Sequence, residues 1–109
     1  MLTNCVDNYN GTIDTSHNAA EILHVMGNAH RLKILQLISE KEVPVSEIVK
    51  TVGLSQSATS QHLQKMCATR IVQRRRDSQT IYYKLASEPV RQILKCIGAE
   101  EIVAAETSH

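Results

Sequence analysis

Apolar residues recur at spacings of three and four along most of the chain, which is the period of an amphipathic helix. Helix-breaking residues, among them the glycines 27 and 53, divide these stretches. The pattern predicts a first helix from Thr15 or Ser16, a second over about 30–39, a third opening at Pro44–Ser46, a fourth over about 56–69 and a last one from Glu88. The chain is therefore expected to be mainly helical.

A different period appears after the fourth helix. The segment 71–75 predicts a strand, Arg76-Asp77-Ser78 a turn, and the alternation of Ile81, Tyr83 and Leu85 a return strand. Residues 40–42 are expected to be a solvated connector. The predicted fold is mainly α with a small β-hairpin (α+β), with about five helices plus a two-stranded wing. A helix, a tight turn, a second helix and a hairpin, in this order, are typical of a winged helix-turn-helix.

The fourth helix is unusually polar. Only Thr59, Leu63 and Met66 form an apolar face, so burial alone stabilises this helix little. Its outward face is expected to bind a ligand, and a solvated surface helix is the plainer alternative. Glutamine can pair with adenine through two hydrogen bonds. Candidate DNA-binding residues here are Ser55, Gln56, Ser57, Ser60, Gln61, His62 and Lys65, of which His62 is equally compatible with a packing role.

Charge is concentrated in the same region. The whole chain has a net charge of +1, but residues 55–84 carry +5 between two segments of −2 each. Three arginines, Arg74, Arg75 and Arg76, lie in the predicted hairpin, and Gln79 follows them. Such a patch is typical of a phosphate-binding surface, although a solvated face is the usual alternative for a charge run. Strand alternation means that the three arginines cannot all face one groove.

The length of 109 residues fits one domain. We expect a flexible arm over 1–15, a domain over 16–104 and a frayed tail over 105–109. The apolar runs are too short for a membrane span, and the first residues lack the pattern of a signal peptide, so the expected location is the cytoplasm. No catalytic motif is evident, so neither an enzyme nor a cofactor is expected.

Three cysteines and five histidines are scattered along the chain. They form no CxxC, CxC or HxxxH pair, the spacings that a strong zinc signature contains, so no metal site is predicted. Cys5 and Cys96 could form a reversible disulfide if the arm and the last helix meet, which depends on a distance that the sequence does not supply.

Three segments carry a family resemblance: GNAHRLKILQLI over 27–38, GLSQSATSQHLQKM over 53–66 and IVQRRRDSQTIYYKL over 71–85. Together they resemble the ArsR/SmtB family of bacterial repressors, and most of all its NolR/HlyU/YgaV-like group. The resemblance implies a homodimer joined through the first and last helices, with two recognition helices in successive major grooves of an inverted repeat. It also implies double-stranded DNA as the partner.

The chain departs from the family's metal sensors. The segment 44–46 lacks the Cys-Val-Cys motif that many of them carry, and the last helix lacks histidine. The resemblance to relatives that sense oxidants or sulfur species leaves Cys5 and Cys96 as a candidate redox pair.

Two apolar stripes exceed what a chain of this size can bury alone, which predicts a dimer interface. The stripes consist of Ile22, Leu23, Met26, Val90, Ile93, Leu94 and Ile97.

The sequence therefore predicts a dimeric, sequence-specific transcriptional repressor. If the repressor is regulated, we expect thiol chemistry and not a metal to be the signal, and a constitutive repressor is the plainer alternative. Two further alternatives stay open at this point. One is a metal-responsive repressor of the same fold, and the other is a ligand-binding interaction protein without operator binding.

Overall fold

The structure is a computed structural model that describes residues 15–98. The predictions for the arm, the tail and Cys5 fall outside these residues, and the domain boundaries stay predictions. The described part contains five helices and three strands: α1 Thr15–Met26, α2 Ala29–Ile38, β1 Val43–Pro44, α3 Val45–Val52, α4 Gln56–Ala68, β2 Val72–Asp77, β3 Thr80–Leu85 and α5 Glu88–Cys96. The winged helix-turn-helix architecture is thus confirmed.

The turn between α3 and α4 follows from two residues. Gly53 has a φ of 80°, and its N–H donates to the carbonyl of Val49 at 3.1 Å, which ends α3 in the left-handed conformation that favours glycine. Ser55 then accepts a hydrogen bond from the N–H of Ala58 at 3.0 Å and caps α4. The helix break at Gly53 was predicted, and the cap by Ser55 fits the predicted start of the fourth helix at about residue 56.

The end of α4 has no glycine. Arg70 adopts a φ of 66°, and its N–H donates to the carbonyl of Cys67 at 2.8 Å. The N–H of Ile71 donates to the carbonyl of Met66 at 3.3 Å, and both side chains are fully buried. This is a Schellman motif with its usual apolar contact, and it turns the chain from α4 into β2.

The sheet differs from the prediction in two ways. It has three strands in the order β1-β3-β2, all antiparallel, because Val43 and Pro44 pair with Tyr83 and Tyr82. The hairpin turn is Ser78-Gln79, since Asp77 is still paired with Thr80. The predicted turn at 76–78 was therefore wrong by about two residues, and the two-stranded wing is part of a larger sheet.

The core is aliphatic and lies between the helices and the inner face of the sheet. Its buried apolar residues are Val25, Met26, Ile34, Leu35, Ile38, Val43, Ile48, Val52, Leu63, Met66, Ile71, Val72, Leu85, Val90 and Leu94. Each of the five helices contributes to this set. Leu63 and Met66 thus anchor α4 to the core.

The two stripes that predicted a dimer interface are divided by this core. Met26, Val90 and Leu94 are buried within the chain itself, so these three side chains have no surface to offer a partner, and their predicted interface role is corrected. Leu23 and Ile97 remain 54% and 58% exposed. Ile22 and Ile93 are partly buried against the core.

A search of the described helices found none with the length and hydropathy of a membrane span.

Candidate nucleic-acid interface

Helix α4 presents a polar face to solvent. Thr59, Leu63 and Met66 are buried, as predicted. The predicted base-reading residues lie on the remaining surface: Gln56, Ser57, Gln61 and Lys65 are exposed, and Ser60 is partly buried. Amide and hydroxyl groups on this surface can donate to and accept from base edges in the major groove. Ser55 is exposed at the N-terminus of α4, where backbone N–H groups attract a phosphate.

His62 lies on the flank of α4, partly buried against α2. Its Nδ1 is 3.4 Å from the Nη1 of Arg31, and its ring centroid is 5.8 Å from that of His30. The pKa of His62 is lowered, first because burial disfavours the imidazolium and then because of the charges of Arg31, His30 and Lys65. Of the two roles that the sequence left open, this geometry favours packing.

The three wing arginines divide according to strand alternation. Arg75 turns to the outer face of the sheet, where its Nε and Nη2 each donate to a carboxylate oxygen of Glu42 at 2.9 Å. Its guanidinium also lies 4.8 Å from the centre of the Tyr82 ring. This ion pair joins β2 to the residue before β1, and the phosphate contact of Arg75 stays a prediction. Glu42 lies in the predicted connector 40–42, just before β1, and no local sequence pattern indicated that it pairs with Arg75.

Arg74 faces the opposite side of β2 and lies beside α4. Together with α4 it lines a groove of about 270 Å³ between helix and wing. The other lining residues are Leu63, Gln64, Cys67, Ala68 and Tyr83. Arg74 is thus placed beside the C-terminal half of α4, where Gln64 is its polar neighbour in the groove.

The tip of the wing carries Arg76 and Gln79, both exposed. The Nε of Arg76 donates to the carbonyl of Ser78 at 3.1 Å, which steadies the side chain beside the turn. Gln79 lies in the turn itself, because the hairpin is longer than the sequence predicted. Arg76 and Gln79 project at the end of the wing, away from the core, which suits them for contacts with a polyanion.

The remaining candidate chemistry is sparse within residues 15–98. No group of three or more His, Cys, Asp or Glu residues there could hold a metal ion. Cys96 is exposed at the last residue of α5, and Cys67 is partly buried. The redox pairing of Cys96 with Cys5 stays a prediction.

Sequence reasoning missed two residues that shape this site, Arg31 and Glu42. Arg31 is buried on the inner face of α2, and its spacing to Ile34, Leu35 and Ile38 is that of a helical stripe. A charged residue at the first position of an apolar stripe could have been noticed. The pairing of Glu42 with Arg75 spans 33 residues and gave no local signal.

A tight turn between two helices, a polar second helix and a basic hairpin beside it together define a winged helix-turn-helix DNA-binding domain. The model of the family described as "Bacterial regulatory protein, arsR family" matches residues 28–74. The chain belongs to this family, whose members regulate transcription and are not enzymes.

Individual relatives agree with this assignment. The chain is 49% identical over 80 residues to the nodulation protein NolR of Rhizobium meliloti, covering 73% of this chain and 66% of that protein's length. It is 35% identical to the transcriptional activator HlyU of Vibrio cholerae, covering 75% of this chain and 76% of HlyU. The crystal structure of NolR from Sinorhizobium fredii superposes with a TM-score of 0.73 at 39% identity, covering 85% of this chain and 94% of that one.

Proposed function

We propose that the protein is a dimeric repressor that binds an inverted-repeat operator through α4 and the wing. The single observation that supports this most is the polar face of α4. Glutamine and serine side chains remain in solvent there, while only three side chains of the helix are buried. A face that the core does not use is available to base edges.

Within this proposal the residues have separate roles. Gln56, Ser57, Ser60 and Gln61 read bases in the major groove, where glutamine can bind adenine through two hydrogen bonds. Ser55, at the N-terminus of α4, and Lys65 contact phosphates, which fix the register of the protein on the duplex.

The wing adds phosphate contacts beside the groove. Arg74, Arg76 and Gln79 are the stronger candidates, because Arg75 is held by Glu42 and Tyr82. Each phosphate neutralised releases counterions, so these contacts strengthen binding to any sequence and make it depend on salt.

The dimer would form through α1 and α5. Leu23 lies on α1 and Ile97 directly follows α5 as its C-cap, next to the partly buried Ile22 and Ile93. Within residues 15–98 they are the two most exposed large apolar side chains. A two-fold axis through this surface would present two copies of α4 about 34–36 Å apart, one helical turn of DNA. A cytoplasmic location is part of the same proposal, because a chromosome in a bacterial cell lies there.

The proposal is tested by titrating random and genomic duplexes from about 50 mM to about 200 mM salt. We expect the logarithm of affinity to fall linearly with that of salt concentration, and Arg76→Gln to reduce the slope by roughly one unit per lost contact. Lys33→Gln, which removes an exposed charge from α2, is the control and leaves the slope nearly unchanged.

A slope that is the same for wild type, Arg74→Gln and Arg76→Gln would show that the wing does not touch DNA. Absence of duplex binding at every salt concentration would instead favour an interaction protein that has kept the fold. A reporter under the native promoter decides between repression and the activation for which the HlyU relative is named.

Regulation by thiol chemistry is the finer part of the proposal. Cys96 is exposed at the end of α5, next to the exposed Ile97, so a thiol modification there would lie beside the proposed dimer surface. We expect oxidation to weaken operator binding of the wild type and to spare a Cys5→Ser/Cys96→Ser variant. Equal weakening of both proteins would exclude these cysteines as the switch.

A further inference from the structure

Arg31 is a buried charge at the centre of the helical part. Its residue is 9% exposed, and burying a guanidinium is costly unless it is hydrogen-bonded. Two contacts compensate: its Nε donates to the carbonyl of Val25 at 2.7 Å, and its Nη1 lies 3.4 Å from the Nδ1 of His62. The side chain therefore extends from α2 to two other helices.

The contact with Val25 is at the C-terminus of α1. The last carbonyls of a helix lack N–H donors within it and carry the negative end of the helix dipole, so a guanidinium there is favourable. The carbonyls of Leu23 and Met26 accept from the N–H groups of Gly27 and Asn28, and that of Val25 accepts from Arg31. Arg31 thus caps α1 from the neighbouring helix.

The contact with His62 is at the middle of α4. The apolar side of α4 is narrow, and a narrow stripe restrains rotation of a helix about its own axis weakly. His62 lies on the flank of this stripe, where a directional bond to a neighbouring helix opposes rotation. The angle at which Gln56 and Gln61 meet a base pair depends on this rotation.

We infer that Arg31 and His62 are positioning residues that couple the end of α1 to the orientation of α4, and hence to operator selectivity. The inference rests on the proposed function, because it assigns the pair a role in reading DNA. If α1 forms the dimer, the Arg31 side chain also connects the dimer surface to the DNA-reading surface, because it contacts both α1 and His62 of α4.

The hydrogen bond between Arg31 and His62, the link between α2 and α4, depends on the protonation of His62. Neutral imidazole can accept at Nδ1, whereas imidazolium donates at both nitrogens and would face Arg31 with a like charge. The charged or titratable groups around His62 are Arg31 and His30 from α2 and Lys65 from its own helix. All are basic, and the pKa of His62 is accordingly lowered, with burial as the first cause. At neutral pH the link is intact, and acid breaks it.

A double-mutant cycle tests the coupling. Arg31→Met, His62→Leu and the double variant are compared for the ratio of affinities on the selected operator and on random duplex. We expect each single change to lower this ratio about three- to tenfold, the range for one ordinary hydrogen bond, and the double variant to lose no more than the singles. Lys33→Met removes an exposed charge from the same helix and should keep the ratio.

Losses that add in the double variant would show that His62 contacts DNA independently of Arg31, and would overturn the inference. An unchanged ratio in both single variants would overturn it as well. If Arg31→Met does not fold, the sign of the pH effect in the wild type decides. Because the pKa of His62 is lowered, the link predicts a ratio that falls only as the pH drops below about 6.5, the ordinary value for histidine. A direct phosphate contact of His62 predicts instead that binding strengthens as the pH drops through this range.

A measurement without DNA separates this inference from the proposed function. The imidazole signal of His62 is titrated by NMR in wild type and in Arg31→Lys, which keeps the charge but cannot bond both partners, and in Arg31→Met. The titration midpoint should rise in Arg31→Met, since a repelling charge is removed, and an unchanged midpoint would contradict the link. A shifted midpoint in a protein that binds no duplex would uphold the link and refute the DNA-reading role.

Discussion

At the scale of residues, the wing shows that position decides what an arginine does. Arg74, Arg75 and Arg76 are consecutive, yet their contacts differ. Arg74 lies beside α4, Arg75 donates to the carboxylate of Glu42, and Arg76 donates to the carbonyl of Ser78 in the turn. Arg74 and Arg75 face opposite sides of the sheet because side chains alternate along β2. Arg76 differs from Arg74 because it lies closer to the hairpin turn. A run of three charges is therefore not three equivalent contacts.

The base-reading role of α4 is tested by single truncations. Gln56→Ala or Gln61→Ala should cost about 1–3 kcal/mol on the operator and much less on random duplex, because a lost pair with a base carries sequence information. Fluorescence anisotropy with both duplexes measures this difference.

The matched control is Gln92→Ala, an exposed glutamine on α5 that bonds to Glu88. It should leave both affinities unchanged. Equal losses on operator and random duplex for Gln56→Ala and Gln61→Ala would mean that these residues only position the protein on the phosphate backbone.

Residues with local roles were predicted from the sequence, and residues with distant partners were not. Ser55 and Gly53 act on groups within four residues, which sequence spacing reveals. Arg31 bonds to His62 and Glu42 bonds to Arg75 across 31 and 33 residues. Such pairs depend on how the elements pack, which a one-dimensional pattern does not contain.

At the scale of elements, the contrast between local signals and distant partners explains why the helices were predicted and the third strand of the sheet was not. The five helices were found because each has its own period and caps. Strand β1 has two residues, too few to show alternation, and it exists only because β3 lies beside it. The hairpin turn was misplaced because it uses Ser78 at a φ of 60°, a conformation that usually marks glycine or asparagine.

The bond between Glu42 and Arg75 should hold the wing to β1 in a pH-dependent manner. Hydrogen bonding from Arg75 lowers the pKa of Glu42 below its ordinary value of 4.5. A carboxylate with a lowered pKa stabilises the fold above its unfolded pKa, and this contribution disappears as pH falls through the folded value. At neutral pH, Glu42→Gln should therefore lower amide protection in β2 and β3 about two- to fivefold, as expected for an exposed pair.

Hydrogen exchange normalised for intrinsic rates measures this protection. As the pH falls below about 4, the difference between the variant and the wild type should shrink, since protonation of Glu42 in the folded chain removes the ion pair with Arg75. Glu40→Gln, an exposed neighbour, is the control. Equal protection of wild type and Glu42→Gln at neutral pH would show that backbone pairing alone holds the wing.

At the scale of the whole molecule, charge and apolar surface are segregated. Residues 55–84, with a net charge of +5, contain α4 and the wing, while the exposed apolar side chains lie on α1 and at the end of α5. A regulator that pairs through one surface and binds a polyanion with another needs this separation. The resemblance of the sequence to the ArsR family predicted a dimer surface and a DNA-binding surface. The structure corrected which side chains are exposed enough to form the dimer surface.

Assembly is tested at the two most exposed apolar positions. Leu23→Glu and Ile97→Glu should convert a micromolar dimer to a monomer without unfolding it, because both side chains are largely exposed in the single chain. Sedimentation at physiological salt measures the mass. The control Lys33→Glu places the same charge on α2. A wild type that sediments as a monomer would refute the dimer.

The most direct test of the central claim, that α4 and the wing form a sequence-reading DNA surface, is selection of binding sites from a pool of random duplexes. We predict enrichment of an inverted repeat whose half-sites are centred about one helical turn apart, and loss of the enriched bases when Gln56 and Gln61 are both changed to alanine. A recovered pool with the composition of the starting pool, at low as well as at physiological salt, would contradict the account.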